Sequence, residues 1–464
     1  VFCTQRRTMF EFQDGFYADV RIEDRYSARI RYRSGAMEES TQSSVKKAFI
    51  RVYDGKMWYY SSVCDTGHIQ AELDKLYAMA TPDADILSSP VVSRLQANRE
   101  TVMKFSDCCV KDVPIEQKRK LLTDAMAACV PCEYCKMNSA AYQDRYSVYE
   151  FYNSKGAALR YDFQVCGARL SAAFAAGDKT LSDSDADYLR GADRLDRLNF
   201  TRKGADEFIA EAVNYLLHAK PVEAGVYPVV LSPMTAGVFA HESFGHKSEA
   251  DFMIGDETMK REWALGKKVG ADILSIYDSG LEDGSGYAPF DDEGTRTEKT
   301  YLIKDGVLTG RLHSAVTAAD LNESVTGNAR AVSCDFEPFV RMTSTVIGAG
   351  TLTKEELFSR IRHGYYIETY KHGSGMSTFT IAPAFAYEIV DGKIGDPVKI
   401  AVVSGNGFEP LGLIDGLSDR LEISSHAFGG CGKLEQWPLN VSFGGPYVSV
   451  SEMSVPLDAM TSYA

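Results

Sequence analysis

The chain has 464 residues, 45% hydrophobic, 25% charged and 11% aromatic, a composition that excludes a disordered, collagen-like or low-complexity protein. At about 150 residues per domain this length corresponds to two or three domains, and no stretch approaches the ~18 uninterrupted apolar residues of a membrane span. Sixty-four acids against fifty Lys and Arg leave a net charge of −14, which repels polyphosphate and argues against a nucleic-acid partner.

Residues 1–10 carry Arg6 and Arg7 with no apolar stretch behind them, so no signal peptide is expected, while a start at Val1 leaves room for a trimmed leader. Alternating polarity predicts strands over 17–22 and 27–33, then a hairpin in which Asp54-Gly55 joins 49–53 to 56–60. Helical spacing of apolar residues predicts helices over 69–80 and 113–129, and 146–174 returns to strand alternation. Phe208, Ile209, Ala212, Val213, Leu216 and Leu217 make one apolar side of a helix over 202–219 that connects two halves. Beyond it strands dominate, with Asp305-Gly306 and Asp391-Gly392 as hairpin turns.

Nine of the 38 glycines lie in residues 1–220 and 29 in 221–464, which puts a domain boundary near 220. The expected fold is α+β with two sheet-rich domains: a mixed α/β domain over 1–220 and a mainly antiparallel β domain over 221–464. Glycine-rich loops on sheets are where sites are built, so the chemistry is sought in the second half. Ten cysteines are too dilute for a disulfide framework and read as reduced thiols, which points to a cytoplasmic location.

Residues 226–231 form a short apolar strand, and Ser232-Pro233 supplies an N-cap and a first-turn proline, so a helix begins there. That helix carries His241, Glu242 and His246, two imidazoles flanking a carboxylate. In the H-E-x-x-H zinc helix the two histidines stand about 40° apart around the axis. A spacing of five separates them by about 140° on an ideal helix, and a local π-bulge would bring this to about 50°. Gly245 makes such a distortion plausible, although two histidines and a glutamate this close also arise without a metal. A catalytic zinc takes three protein ligands, and Cys431, flanked by glycines at 429, 430 and 432, is the best third donor, with His426 in reserve.

These segments together resemble the TldD/PmbA family of metallopeptidases, also called modulators of DNA gyrase. The resemblance is densest in YPVVLSPMTAGVFAHESFGHKSEADF at 227–252, in 287–312 with its FDDEGT segment, in Thr326-Gly327-Asn328 and in the closing GGCGK. It implies that His241, His246 and Cys431 hold zinc and that Glu242 is the general base. Some members lack these residues and serve as silent partner subunits; this chain retains all four, like the active type. The resemblance further implies hydrolysis of peptide bonds in unfolded proteins or peptides, and a homodimer or a heterodimer with a homologous subunit. The chain departs from the family pattern at 372–376, so the substrate is left unknown. The alternative is a noncatalytic partner or regulatory subunit whose metal is structural.

Other features are discounted. Cys129, Cys132 and Cys135 form a C-x-x-C-x-x-C string without a fourth ligand at matching spacing. Asp291, Asp292 and Glu293 read as a solvated acidic turn, and Gly284-Ser285-Gly286 lacks the P-loop lysine. His68, His218, His313 and His363 are expected to be structural. Glu249 and Asp251 are placed to orient the histidines or to face solvent.

Overall fold

The computed structural model describes residues 10–129, 131–189, 198, 203–375 and 378–456. Seven strands before residue 189 make one sheet, in the order Trp58–Val63, Ala36–Tyr53, Tyr17–Arg33, Cys135–Asn153, Ala158–Ala176 and Arg99–Val102, with Lys179–Tyr188 also pairing with Ala158–Ala176. Only Arg99–Val102 runs parallel to its neighbour. The two short strands expected over 17–33 are one strand of 17 residues. The apparent break at Glu23 is a buried carboxylate, held by Arg25 and Arg145 at 2.7 Å each. The alternation over 146–174 is a hairpin of two 19-residue strands. It turns at Gly156 (φ 97°), where the Asn153 side chain accepts from the Lys155 and Ala157 amides. Helices Ile69–Met79 and Ile115–Cys129 lie where the apolar spacing put them.

The helix Ala205–His218 does connect the two halves; position 202 of its expected span lies outside the described residues. Its buried Phe208, Ile209, Ala212, Tyr215 and Leu216 share a core with Phe174 of the first sheet and Phe385 of the second half. The Tyr215 hydroxyl donates to the Val398 carbonyl at 2.6 Å.

From residue 220 on, the strands form a ten-stranded mixed sheet and a six-stranded sheet, and the helix Pro233–Ala240 contacts strands of both. Both Asp-Gly hairpins form: Asp305 (φ 50°) with Gly306 (φ 74°), and Asp391 (φ 46°) with Gly392 (φ 78°), occupy the left-handed region that two-residue turns require. Between the sheets lies the short helix Pro233–Ala240, in which every residue but Met234 is buried. A helix apolar on all sides is stable only where it is packed on all sides. Phe239 packs edge-on against Phe379 of the larger sheet at 4.9 Å and shares one buried core with Val229 of that sheet and with Ile276 and Phe443 of the smaller. No described helix is long and apolar enough to cross a membrane.

The acidic segment 291–293 is not solvated. Asp291, Glu293 and most of Asp292 are buried because arginines of the first sheet meet them: Arg21 pairs with Asp292 at 3.1 Å, and Arg51 with Glu293 at 3.2 Å and Asp19 at 2.7 Å. Asp291 accepts the amides of Glu293, Thr295 and Ala329. Gly294 (φ 75°) has no room for a side chain, since a Cβ would strike the Phe151 ring. Periodicity could not reveal this, because the countercharges lie more than 240 residues away. Cys129, Cys132 and Cys135 sit in the first half's core or packed against it, and burial pushes the Cys129 thiol up to about 12.

Removing one partner of a buried ionic set leaves the others uncompensated, at a cost of about 3–5 kcal/mol. Arg51→Met, which strands Asp19 and Glu293, is therefore expected to lower the unfolding free energy in urea by about that amount. A loss below ~1 kcal/mol, the range of an exposed pair, would show that the network does not hold the halves together.

Candidate metal centre

The Ser232 hydroxyl caps the central helix, accepting from the Thr235 amide at 3.2 Å, and Pro233 occupies the first turn. After Ala240 the helix widens into a π-turn over His241–Gly245 and then tightens into a 3₁₀ turn over His246–Ser248. The widened turn swings His246 back toward His241, so the ring centroids stand 5.0 Å apart at 78°. Gly245 is dictated by packing and not by backbone freedom: its φ of −52° is ordinary helix, but a Cβ there would run into the Met342 side chain.

Cys431 arrives on the two-stranded hairpin Cys431–Lys433 and Gln436–Leu439, behind the left-handed Gly429 (φ 90°). Its Sγ lies 3.6 Å from His246 Nε2, and the ligand atoms of His241, His246 and Cys431 all fall within 4.8 Å of one another. Zinc bonds of about 2.0–2.1 Å to nitrogen and 2.3 Å to sulfur put tetrahedral donors roughly 3.3–3.6 Å apart, so the set suits that ion after a small contraction. His241 Nδ1 is buried with no hydrogen-bond partner among the described residues. Among the described residues this is the one cluster of three His, Cys, Asp or Glu with converging ligand atoms, and Cys129, Cys132 and Cys135 do not form another.

Burial pushes the Cys431 thiol up, but the imidazoles of His241 and His246 more than reverse this and bring it to about 5. Burial likewise opposes a charge on His246, yet the Glu249 carboxylate and the Cys431 sulfur hold its pKa well above the ordinary histidine value. The metal-free pocket therefore favours a thiolate–imidazolium pair, the charge pattern that a cation displaces. His426 is outside the donor set: it stacks on Phe443 at 4.7 Å, and burial together with His241 pushes it down to about 4. Ser285 of the glycine-flanked loop is structural, accepting the His426 amide and donating to the Val441 carbonyl.

Glu242 is half-buried and faces a groove of about 580 Å³ that it lines with His246, Phe252, Gly373, Ser374 and Leu434. The strand Tyr370–Ser374 ends the ten-stranded sheet and rests directly on the π-turn. A Cβ on Gly373 would stand 3.1 Å from Glu242 Cγ, and one on Gly375 would collide with the Glu242 carbonyl. His372 is exposed, and position 376 lies outside the described residues. Glu249 is fully buried rather than solvated, 3.4 Å from His246 Nδ1, and Asp251 pairs with Lys433 at 2.7 Å. Sequence reasoning missed Lys433 as a participant; its one signal is the Cys-x-Lys alternation, which puts both side chains on one face of a strand.

Residues 224–456 match the family model described as the PmbA/TldA metallopeptidase C-terminal domain, and residues 18–80 match PmbA/TldA metallopeptidase domain 1. The chain belongs to the PmbA/TldD metallopeptidase family, as the four segments implied. A metalloprotease of Methanothermobacter thermautotrophicus is 30% identical over 448 residues, 95% of each chain. A zinc metalloprotease TldD homolog of Saccharolobus solfataricus is 33% identical over 247 residues, 52% of this chain and 54% of that one. Other metalloprotease relatives also match over little more than half their length. The solved structure of TldE from Thermococcus kodakarensis shares the fold, with a TM-score of 0.71 at 15% identity, over 95% of this chain and 96% of that one.

In metal-free protein one thiol is expected to ionise with a midpoint near pH 5. A free cysteine does so near ~8.5. Thiolate absorbance should therefore rise as pH increases through 5, and Cys431→Ser should remove that step. A first thiol step near 8.5 in the wild type would mean that the imidazoles do not act on Cys431.

Proposed function

We propose that this chain is a zinc-dependent metallopeptidase that hydrolyses peptide bonds in unfolded proteins or peptides. His241, His246 and Cys431 would hold the ion, and Glu242 is the general base. The observation that carries this reading is the meeting of a thiolate and two imidazoles beside a carboxylate that faces an open groove. Relatives whose names say metalloprotease, one of them zinc metalloprotease, support it.

Zinc held by two neutral imidazoles and one thiolate keeps one net positive charge, and when bound supplies Lewis-acid polarisation of a peptide carbonyl and acidification of water. The protein's own part begins with Glu242, whose carboxylate takes a proton from water in the groove and returns it to the departing amine. Glu249 accepts the Nδ1 proton of His246, which leaves Nε2 free to act as a donor. Among the described residues the strand Tyr370–Ser374 pairs only with Thr378–Pro383, so its other edge is available for an extended chain to add as a further strand. Binding through main chain selects unfolded polypeptide and tolerates many sequences.

Exposed Leu434 and Trp437 next to the groove fit a dimer, with a second copy or a homologous subunit, that encloses it away from folded proteins. A metal-binding thiolate needs a reducing setting, and this supports a cytoplasmic location. In this reading the seven-stranded sheet belongs to domain 1–220, and the ten- and six-stranded sheets belong to domain 221–464.

Zinc-loaded protein incubated with an unstructured peptide pool is expected to produce cuts detectable by mass spectrometry, and chelation should abolish them. Glu242→Gln is expected to keep stoichiometric zinc and lose cleavage by about 10²–10⁴-fold. A Glu242→Gln protein that retained wild-type cleavage would refute the general base. A zinc-binding wild type that cuts nothing would favour a noncatalytic partner with a structural metal.

A further inference from the structure

We propose that Lys433 is a positioning residue for the metal centre: through Glu249 it directs His246, and from its place on the strand of Cys431 it docks the thiolate against that imidazole. This rests on the metal-binding reading above. Cys431 and Lys433 are buried on one face of their strand, while Gly432 between them is exposed. The Lys433 ammonium donates to Glu249 Oε2 at 2.8 Å, to the Asp251 carboxylate at 2.7 and 2.8 Å, and to the Val340 carbonyl at 3.0 Å, and it lies 4.2 Å from the centre of the Phe252 ring.

Three acceptor groups use the three N–H bonds of an ammonium. Although Lys433 lines the groove, it therefore has no donor left for a substrate carboxylate, and its role is directed inward. Glu249 Oε2 is shared between Lys433 and His246 Nδ1, while Oε1 has no hydrogen-bond partner among the described residues. A carboxylate buried this deeply needs countercharge, and Glu249 has it on two sides, from the His246 imidazole and from the Lys433 ammonium at 2.8 Å. The carboxylate oxygen holds the Nδ1 side of the ring, so Nε2 is the nitrogen that faces Cys431 and can give up its proton to offer a lone pair to an ion. The same ammonium ties the C-terminal hairpin to a helix end 184 residues earlier in the chain, bringing the thiolate within reach before any ion arrives.

The test uses metal-depleted full-length protein titrated with zinc against a chromophoric chelator, and with cobalt to record the visible and thiolate-to-metal bands. Lys433→Met is expected to weaken zinc binding by about 10–100-fold, the usual effect of removing a partner behind a metal-bound histidine, and to shift the cobalt spectrum. Lys433→Arg should recover most of the loss, and Glu435→Ala, on the exposed turn of the same hairpin, should stay within about twofold of wild type. Lys433→Met binding zinc as wild type does, with an unchanged cobalt spectrum, would overturn the proposal. If Lys433→Met does not fold, Glu249→Gln carries the same expectation of about tenfold or greater weakening, and its unchanged affinity would overturn the proposal equally. A wild type that binds neither ion would overturn the metal reading itself, and this proposal with it.

Discussion

The approach of a thiolate to two imidazoles across 185 residues of chain is the interaction on which the rest of this molecule turns. Neither side reaches the other by local structure alone. The histidines converge because one turn of helix is over-wide, and that turn is stable because the helix carrying it is buried between two sheets and can shed no strain to solvent. The cysteine reaches them on a short hairpin that would be floppy by itself. What holds it is ionic: a lysine two residues on is sunk among a glutamate, an aspartate and a carbonyl.

The same device, opposite charges brought together in the interior, joins the two halves. Arg21 and Arg51 project from the first sheet into the acidic segment 291–293, and the bridging helix adds an apolar contact at Phe385. Breaking one member of such a set leaves charges in a low-dielectric interior, so the arrangement tolerates little relative movement. A rigid frame suits a site whose donors come from opposite ends of the second half.

Close backbone approach shapes the groove. Gly237 lets the central helix lie against the Gly444 backbone and the Phe443 ring, and Gly373 and Gly375 let the terminal strand of the large sheet rest on the turn that carries Glu242. The general-base candidate, the edge available to an extended chain and the donor set are thereby held within one small region. The enrichment of glycine beyond residue 220 has its physical meaning here: backbone is packed where side chains would otherwise keep these parts separate.

Much of this was legible in the residues alone. Alternation and apolar spacing located parts of the long strands, the three longer helices and the three Asp-Gly hairpins, because these local conformations are decided within a few residues. The five-residue spacing of His241 and His246 already required a warped turn, and the glycines around Cys431 marked a place where backbone could close on an ion. The acidic segment at 291–293, Glu249 and Lys433 were different. A charged side chain reads as solvated unless its countercharge is known, and here the countercharges lie about 180 to 270 residues away in sequence. Sequence by itself thus determined which groups could donate, accept and bend. Tertiary structure decided which charges left water, since the cost of burying an ion is settled only by the partner that meets it.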